Sequence, residues 1–213
     1  MFEIKNFCKS YGENTVYENF NLSVDDGEIV CILGESGSGK TTLLNAVAGL
    51  TDYTGEITKR KCSYVFQSPR LVPCLTVEGN LKLVCGDGQK ILEMLKAFGV
   101  EDKAKSYPLK LSGGQAQRVS LARAFLFGGE IMLLDEPFSA LDLKLKRSLF
   151  ELFKLSWSQS KPTVLFVTHD VDEAAELSDR VVIIKKGKIV EIFKNDGQKE
   201  QLRSKIIRVL LDK

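Results

Sequence analysis

The sequence predicts an α/β domain: a mainly parallel sheet with helices around it, an antiparallel β-subdomain at the N-terminus and a small helical subdomain. Three observations predict this. Apolar runs at Ile29–Leu33, Ile131–Leu134 and Thr163–Val167 are short and unbroken, and each leads through polar residues into a helix-compatible stretch, as in strands buried on both faces. Phe2–Phe7 and Phe20–Val24 alternate with period two instead, as half-buried antiparallel strands do. Residues 68–110 leave both patterns for helical apolar spacing broken by Pro69, Pro73 and Gly86-Asp87-Gly88. At 213 residues the chain suits a single domain over 1–213, with the helical subdomain at about 68–115 and a short C-terminal helix at about 198–211.

Taken in order, the N-terminal strands are punctuated by Gly12 and the Asp25-Asp26-Gly27 turn. Tyr11 stands beside Gly12 and, taken alone, reads as a core or turn residue. The run Ile29–Leu33 then delivers Gly34-Glu35-Ser36-Gly37-Ser38-Gly39-Lys40-Thr41, a G-x-x-x-x-G-K-T loop before a helical run starting near Thr42. Glycines without a β-carbon let successive backbone N–H groups turn toward one anion, and the following helix adds its partial positive end. In such a cradle Lys40 reaches the β- and γ-phosphates of a nucleotide, and the Thr41 hydroxyl sits on Mg²⁺. The helix ends at Gly49. Gly55–Thr58 and Ser63–Phe66 read as strands, and Gln67 stands at the end of the second, where side chains of an α/β sheet face the ligand crevice.

After the helical insertion, which ends at Pro108, Leu111-Ser112-Gly113-Gly114-Gln115 is a second glycine turn opening a helix, Ala116–Phe127. It places a hydroxyl and backbone donors at a helix N-terminus, a second anion site in one chain. Ile131–Leu134 ends in Asp135-Glu136: the first carboxylate suits Mg²⁺, and the second, facing the other way, suits polarising a water. Pro137 stops the strand, and Ser139–Asp142 leads into a helix running to about Ser156. Thr163–Val167 ends in Thr168-His169-Asp170. His169 is the chain's one histidine, placed where an imidazole can donate to a γ-phosphate or hold a water. Arg180–Ile184 and Lys188–Ile192 flank Lys185-Lys186-Gly187 as a β-hairpin. In the tail, Leu202, Ile206, Val209 and Leu210 share one helical face, which packs back on the domain or meets a partner or membrane.

Composition narrows the classes. Thirty basic against 28 acidic residues leave a formal charge of +2, which argues against a nucleic-acid surface. Cys8, Cys31, Cys62, Cys74 and Cys85 are odd in number and never spaced C-x-x-C, so they read as core thiols in a reducing compartment, with no disulfide framework or zinc site. No basic patch leads into an apolar signal segment at the N-terminus, and no apolar stretch reaches the roughly 20 residues of a membrane span. A soluble, cytoplasmic chain is expected, able to dock on something embedded in a membrane.

These motifs in this order resemble the nucleotide-binding subunit of ATP-binding cassette (ABC) transporters, over nearly the whole chain. The resemblance implies the P-loop NTPase fold of the ABC ATPases. It makes Gly34–Thr41 a Walker A motif, with Thr42 also at the nucleotide, and Gln67 the Q-loop residue beside the metal and the reacting water. Leu111–Gln115 is then the signature, Asp135-Glu136 the end of Walker B, Ser139–Asp142 the D-loop and His169 the switch histidine. Tyr11 becomes the ring that stacks on adenine. The catalytic residues are thus Glu136, His169 and Gln67, and the metal set is Thr41, Gln67 and Asp135. The cofactors are ATP and Mg²⁺. Two copies lie head to tail, each ATP held between one chain's Walker A and Ser112, Gly113, Gly114 and Gln115 of the other.

The segment Phe66–Val77 is similar to that following the Q-loop in importer cassettes for nitrate, sulfonate, taurine or thiamine precursors, with Cys74 standing where an aromatic is common. The resemblance implies a permease helix docking near 67–81, with Arg70, Leu71 and Leu75 as contacts, and a separate solute-binding protein. It also implies a peripheral place on the cytoplasmic face of the membrane and no nucleic-acid partner. Alternatives are an ABC exporter subunit, a soluble ABC ATPase acting on DNA or ribosomes, whose long coiled-coil insertion or paired cassettes this sequence lacks, and a P-loop small-molecule kinase, which the signature argues against.

Overall fold

The computed structural model describes residues 1–139 and 143–211. Two sheets form the framework. The first is antiparallel: β1 (Phe2–Tyr11) pairs with β2 (Asn14–Val24) on one side and β4 (Thr54–Ile57) on the other. Its alternation slips between Ile4 and Phe7, where Asn6 adopts φ 49° and the register shifts. The bulge changes the phase of the strand and turns Lys9 inward, a charged residue buried in a β-face.

The second sheet runs β5 (Cys62–Val65), β6 (Ile131–Asp135), β7 (Thr163–Thr168), β3 (Ile29–Leu33), β8 (Arg180–Lys185), β9 (Lys188–Lys194). The first five are parallel, and β9 returns antiparallel through a two-residue turn with Lys186 at φ 47° and Gly187 at φ 71°. Each residue of β3, β6 and β7 is buried, as their unbroken apolar runs require. Alternate side chains feed two cores. Val30, Ile32, Leu133 and Leu165 meet Phe2, Phe7, Tyr17 and Phe20 of the antiparallel sheet. Cys31, Leu33, Met132, Leu134 and Phe166 meet the helices on the opposite face.

The helices are α1 (Lys40–Val47), α2 (Val77–Lys82), α3 (Gly88–Ala97), α4 (Gly113–Phe127), α5 (Leu143–Ser160), α6 (Val171–Leu177) and α7 (Lys199–Leu211). The stretch between β5 and α4 holds α2, α3 and two short 3-10 turns. Several bounds differ from expectation. α1 begins at Lys40, inside the loop motif, because Gly39 at φ 96° serves as its N-cap. α4 begins at Gly113 rather than Ala116, because Ser112 and Gln115 form a capping box that offsets the poor helix propensity of two glycines. α5 runs on to Ser160, its end tied by the Trp157 indole donating to the Pro162 carbonyl at 2.9 Å. The apolar stripe of α7 packs back on the domain, with Leu202 and Ile206 buried.

Register places the site. Leu33 pairs with Thr168 and Asp135 with Val167, so the ends of β3, β6 and β7 lie level. Val65 pairs with Leu134, bringing the chain after β5 to the same edge. Gly34, Glu136, His169 and Gln67 therefore leave the sheet side by side, at the carboxyl ends of parallel strands.

Candidate functional site

The loop from Gly34 to Gly39 is wedged between two strands. A β-carbon on Gly34 would lie 2.4 Å from the Ile184 carbonyl oxygen of β8, and one on Gly39 would lie 2.6 Å from Val16 Cγ1 and 2.7 Å from Tyr17 Cε2 of β2. Gly37 and Gly39 are left-handed, at φ 80° and 96°. Only glycine meets both demands at position 39. Ser38 donates its backbone N–H to the Glu35 carbonyl at 3.2 Å, and its hydroxyl is buried without a hydrogen-bond partner. A concave loop, a helix N-terminus with no side-chain cap and an unspent buried hydroxyl suit an anion.

Lys40, 6% exposed, is folded into the loop and donates to the carbonyls of Gly34 (2.7 Å) and Glu35 (2.8 Å). Burial lowers its pKa, opposed by the carboxylates of Glu136 and Asp135. The Thr41 hydroxyl donates to Asp135 Oδ1 at 3.0 Å. Burial pushes the Asp135 carboxyl up, and the Thr41 hydrogen bond works against it. A hydroxyl and a carboxylate brought together are hard oxygen donors of the kind Mg²⁺ takes. Gln67 does not join them. Its Nε2 donates to Glu136 Oε2 at 3.1 Å, while His169 Nδ1 lies 3.2 Å from Glu136 Oε1. Glu136 is thus held between the ends of β5 and β7. Its backbone is at φ 44°, rare outside glycine, with its N–H donating to the Val167 carbonyl at 3.0 Å and its own carbonyl accepting from the Ser139 hydroxyl at 3.0 Å.

The second glycine turn is closed on itself. Ser112 Oγ accepts the Gln115 backbone N–H at 3.3 Å, and Gln115 Oε1 accepts that of Ser112 at 3.0 Å. Ser112 and Gly113 are exposed, and Gly114 is buried. Tyr11 is 52% exposed, with the Lys9 ammonium 4.6 Å from its ring centroid. The expected D-loop, Ser139–Asp142, lies outside the described residues except for Ser139.

In the 67–81 stretch Arg70 is exposed, its guanidinium 3.9 Å from the Phe66 ring centroid, and its carbonyl accepts from Arg123 at 2.9 Å. Leu75 is half-buried. Leu71 corrects the expectation of a surface contact: it is 9% exposed and belongs to the core, since the chain turns it inward beneath the helices. Sequence reasoning missed Asn80. Fully buried, it bonds Val72 N–H (2.7 Å) and the carbonyls of Val72, Leu75 and Thr76, so one amide shapes the loop ahead of α2. It also missed Lys146, which pairs with Asp170 and Glu173 behind His169. A buried Asn or Lys in a helical stretch gives no signal until its distant partners are placed.

All five cysteines are free thiols. Among the described residues there is no cluster of three His, Cys, Asp or Glu able to hold a metal, and no helix is long and apolar enough to cross a membrane.

Comparison with known proteins identifies the family. A family model described as "ABC transporter" matches residues 17–139. The chain is 42% identical over 195 residues to an aliphatic sulfonates import ATP-binding protein of Paracoccus denitrificans, covering 88% of this chain and 81% of the relative. It is 40% identical over 212 residues to a spermidine/putrescine import ATP-binding protein of Haemophilus influenzae, covering 90% of this chain and 57% of that protein. It superposes with a TM-score of 0.82 and 33% identity on an ATP-binding cassette solved as a dimer in a post-hydrolysis state with ADP and Pi, over 92% of this chain and 100% of the other. With a family match across more than half its length and relatives near two-fifths identical along most of it, this chain belongs to the ABC transporter family.

Proposed function

We propose that the chain is the ATP-binding and ATP-hydrolysing subunit of a membrane importer, peripheral on the cytoplasmic face and working as a pair of copies. The observation that carries the reading is the Glu136 carboxylate clasped between Gln67 and His169, one residue beyond the Asp135 that meets Thr41. Phosphoryl transfer asks a protein mainly to position groups and stabilise charge. Gly34–Thr42 hold the triphosphate, with Lys40 exchanging its loop carbonyls for the β- and γ-phosphates and Tyr11 offering a face to the adenine. Thr41 and Asp135 would hold Mg²⁺, which when bound would neutralise charge on the phosphate oxygens; Gln67, expected in that set, instead meets Glu136. Glu136 accepts the proton of the attacking water, and Gln67 and His169 fix the direction in which its carboxylate points.

The second half of each site comes from the second copy: Ser112, Gly113, Gly114 and Gln115 of the partner subunit face the γ-phosphate. The dimeric state of the related cassette supports this arrangement. The stretch 67–81 receives the permease, with exposed Arg70 and half-buried Leu75 as contacts, and a separate solute-binding protein delivers the cargo. The sulfonate relative is matched over 81% of its length and the polyamine relative over 57%, so an alkyl sulfonate is the first cargo to test, and the permease decides it. The import names favour this reading over an exporter or a soluble ATPase acting on DNA or ribosomes.

Glu136→Gln keeps the shape and removes the base. Turnover of ATP should fall about 10²–10⁴-fold, the range for a general base, with ATP affinity intact and a dimer persisting at saturating ATP. Hydrolysis near the parent rate would show that another group takes the proton.

A further inference from the structure

His169 is poorly held by its own side chain. The ring is 58% exposed and reaches Glu136 only at 3.2 Å. The residues on either side of it are held firmly. Thr168 Oγ1 donates to Glu173 Oε2 at 2.6 Å and accepts the backbone N–H of Asp170 at 3.1 Å. Asp170 Oδ1 caps α6 by accepting the N–H groups of Asp172 (2.8 Å) and Glu173 (3.3 Å). Both carboxylates converge on one cation from another helix: Lys146 Nζ, on the first turn of α5, lies 2.7 Å from Asp170 Oδ2 and 2.6 Å from Glu173 Oε1.

Glu173 is 1% exposed, and burial pushes its carboxyl up while Lys146 and Thr168 hold it down. For Lys146, burial opposes the charge and the two carboxylates outweigh it. A buried ion pair is weak support for stability by itself, because desolvation offsets much of the attraction. Its location gives it meaning. The cluster encloses the turn that carries the histidine, and its cation comes from the helix that follows residues 140–142.

We propose that Lys146 is a positioning residue for ATP hydrolysis: by bridging Asp170 and Glu173 it fixes the Thr168–His169–Asp170 turn, and so the reach of the His169 imidazole to the Glu136 carboxylate. The inference rests on the reading of Glu136 and His169 given above. Lys146 acts through its neighbours, and α5 thereby gains a direct hold on the geometry around the attacking water.

The test measures ATP turnover, ATP affinity and Tm of the full chain in Lys146→Met, Lys146→Arg, the double variant Lys146→Met/Glu173→Gln, and His169→Ala as reference. Lys146→Met should lower kcat about 10²-fold, the cost of a misplacement of about 1 Å, with KM for ATP unchanged. Lys146→Arg should return kcat, because a guanidinium also reaches two carboxylates. The double variant leaves no buried unpaired carboxylate, so it should recover Tm but not kcat, since the bridge from α5 to Asp170 Oδ2 and position 173 stays lost. It also decides the matter should Lys146→Met fail to fold. A parent-like kcat in Lys146→Met beside a crippled His169→Ala would overturn this inference alone. Recovery of kcat together with Tm in the double variant would overturn it too, by reducing the cluster to a structural role. A parent-like kcat in His169→Ala would overturn both this inference and the site beneath it.

Discussion

Two helices of this chain start at glycine turns, and they start differently. α1 is capped by Gly39 with no side-chain acceptor, and the turn before it is locked by strands on both sides, so no larger residue fits. α4 is capped by Ser112 and Gln115, which satisfy each other's backbone N–H groups on an exposed surface. The first N-terminus is built rigidly and leaves its donors unspent. The second spends Ser112 Oγ as an acceptor for Gln115, so its hydroxyl proton can still be donated to an anion, but from an exposed turn that no neighbouring strand holds. The difference teaches which half of a composite site is preorganised by the fold and which must be recruited.

The comparison is broken most severely at Gly39. Gly39→Ala puts a β-carbon into Val16 and Tyr17 and forces alanine to φ 96°. The backbone alone costs about 1–3 kcal/mol, and the loop is expected to lose ATP binding and turnover altogether, read by ATP titration and phosphate release. An equivalent change at Gly113, where a β-carbon meets open space, should leave ATP affinity unchanged. Equal losses at the two glycines would erase the distinction.

Ser112→Ala removes the α4 cap and should cost about 1 kcal/mol of stability, read in denaturant midpoints. Its effect on turnover should exceed its effect on ATP affinity if, as proposed, the hydroxyl serves the second copy's nucleotide. A fall in the isolated chain's ATP affinity would move Ser112 to the preorganised half.

The smallest expected effect is a gain. Burial raises the Asp135 carboxyl above its ordinary pKa, so its ionised form is disfavoured by folding. The penalty is full above the folded pKa, shrinks as pH falls, and vanishes below the unfolded value. Asp135→Asn keeps an acceptor for Thr41 and should therefore raise Tm modestly at neutral pH, with the advantage fading through the acidic carboxylate range, while Mg²⁺-dependent turnover is lost. Thermal melts between acidic and neutral pH check this. A lower Tm at neutral pH would show that the ionised carboxylate has more support than its neighbours supply.

Much of this was legible from residue order alone. The unbroken runs ending at Leu33, Leu134 and Val167 are buried parallel strands, and the period-two segments before Val24 form the antiparallel sheet. Local rules were enough there, because burial on two faces and glycine's freedom leave marks within a few residues. What stayed hidden depends on partners far along the chain or on a shift of phase. The bulge at Asn6 turned Lys9 inward under Tyr11, which simple alternation does not foresee. Lys146 meets carboxylates 24 and 27 positions away, and its sequence neighbourhood reads as an ordinary solvated helix start. Leu71 is expected at the docking surface from the resemblance of the segment after Gln67 to importer cassettes, yet the helices cover it.

One hairpin does two jobs at once. β1 ends in Tyr11, and β2, two residues on, supplies Val16 and Tyr17 as the wall against Gly39. In the reading proposed above, a single ribbon therefore acts as a caliper, with the Tyr11 ring at one jaw and the wall against Gly39 at the other. Such a gauge measures the length of a ligand rather than its letters, so exchange of one purine for another should be felt far less than any lengthening or shortening between base and phosphates.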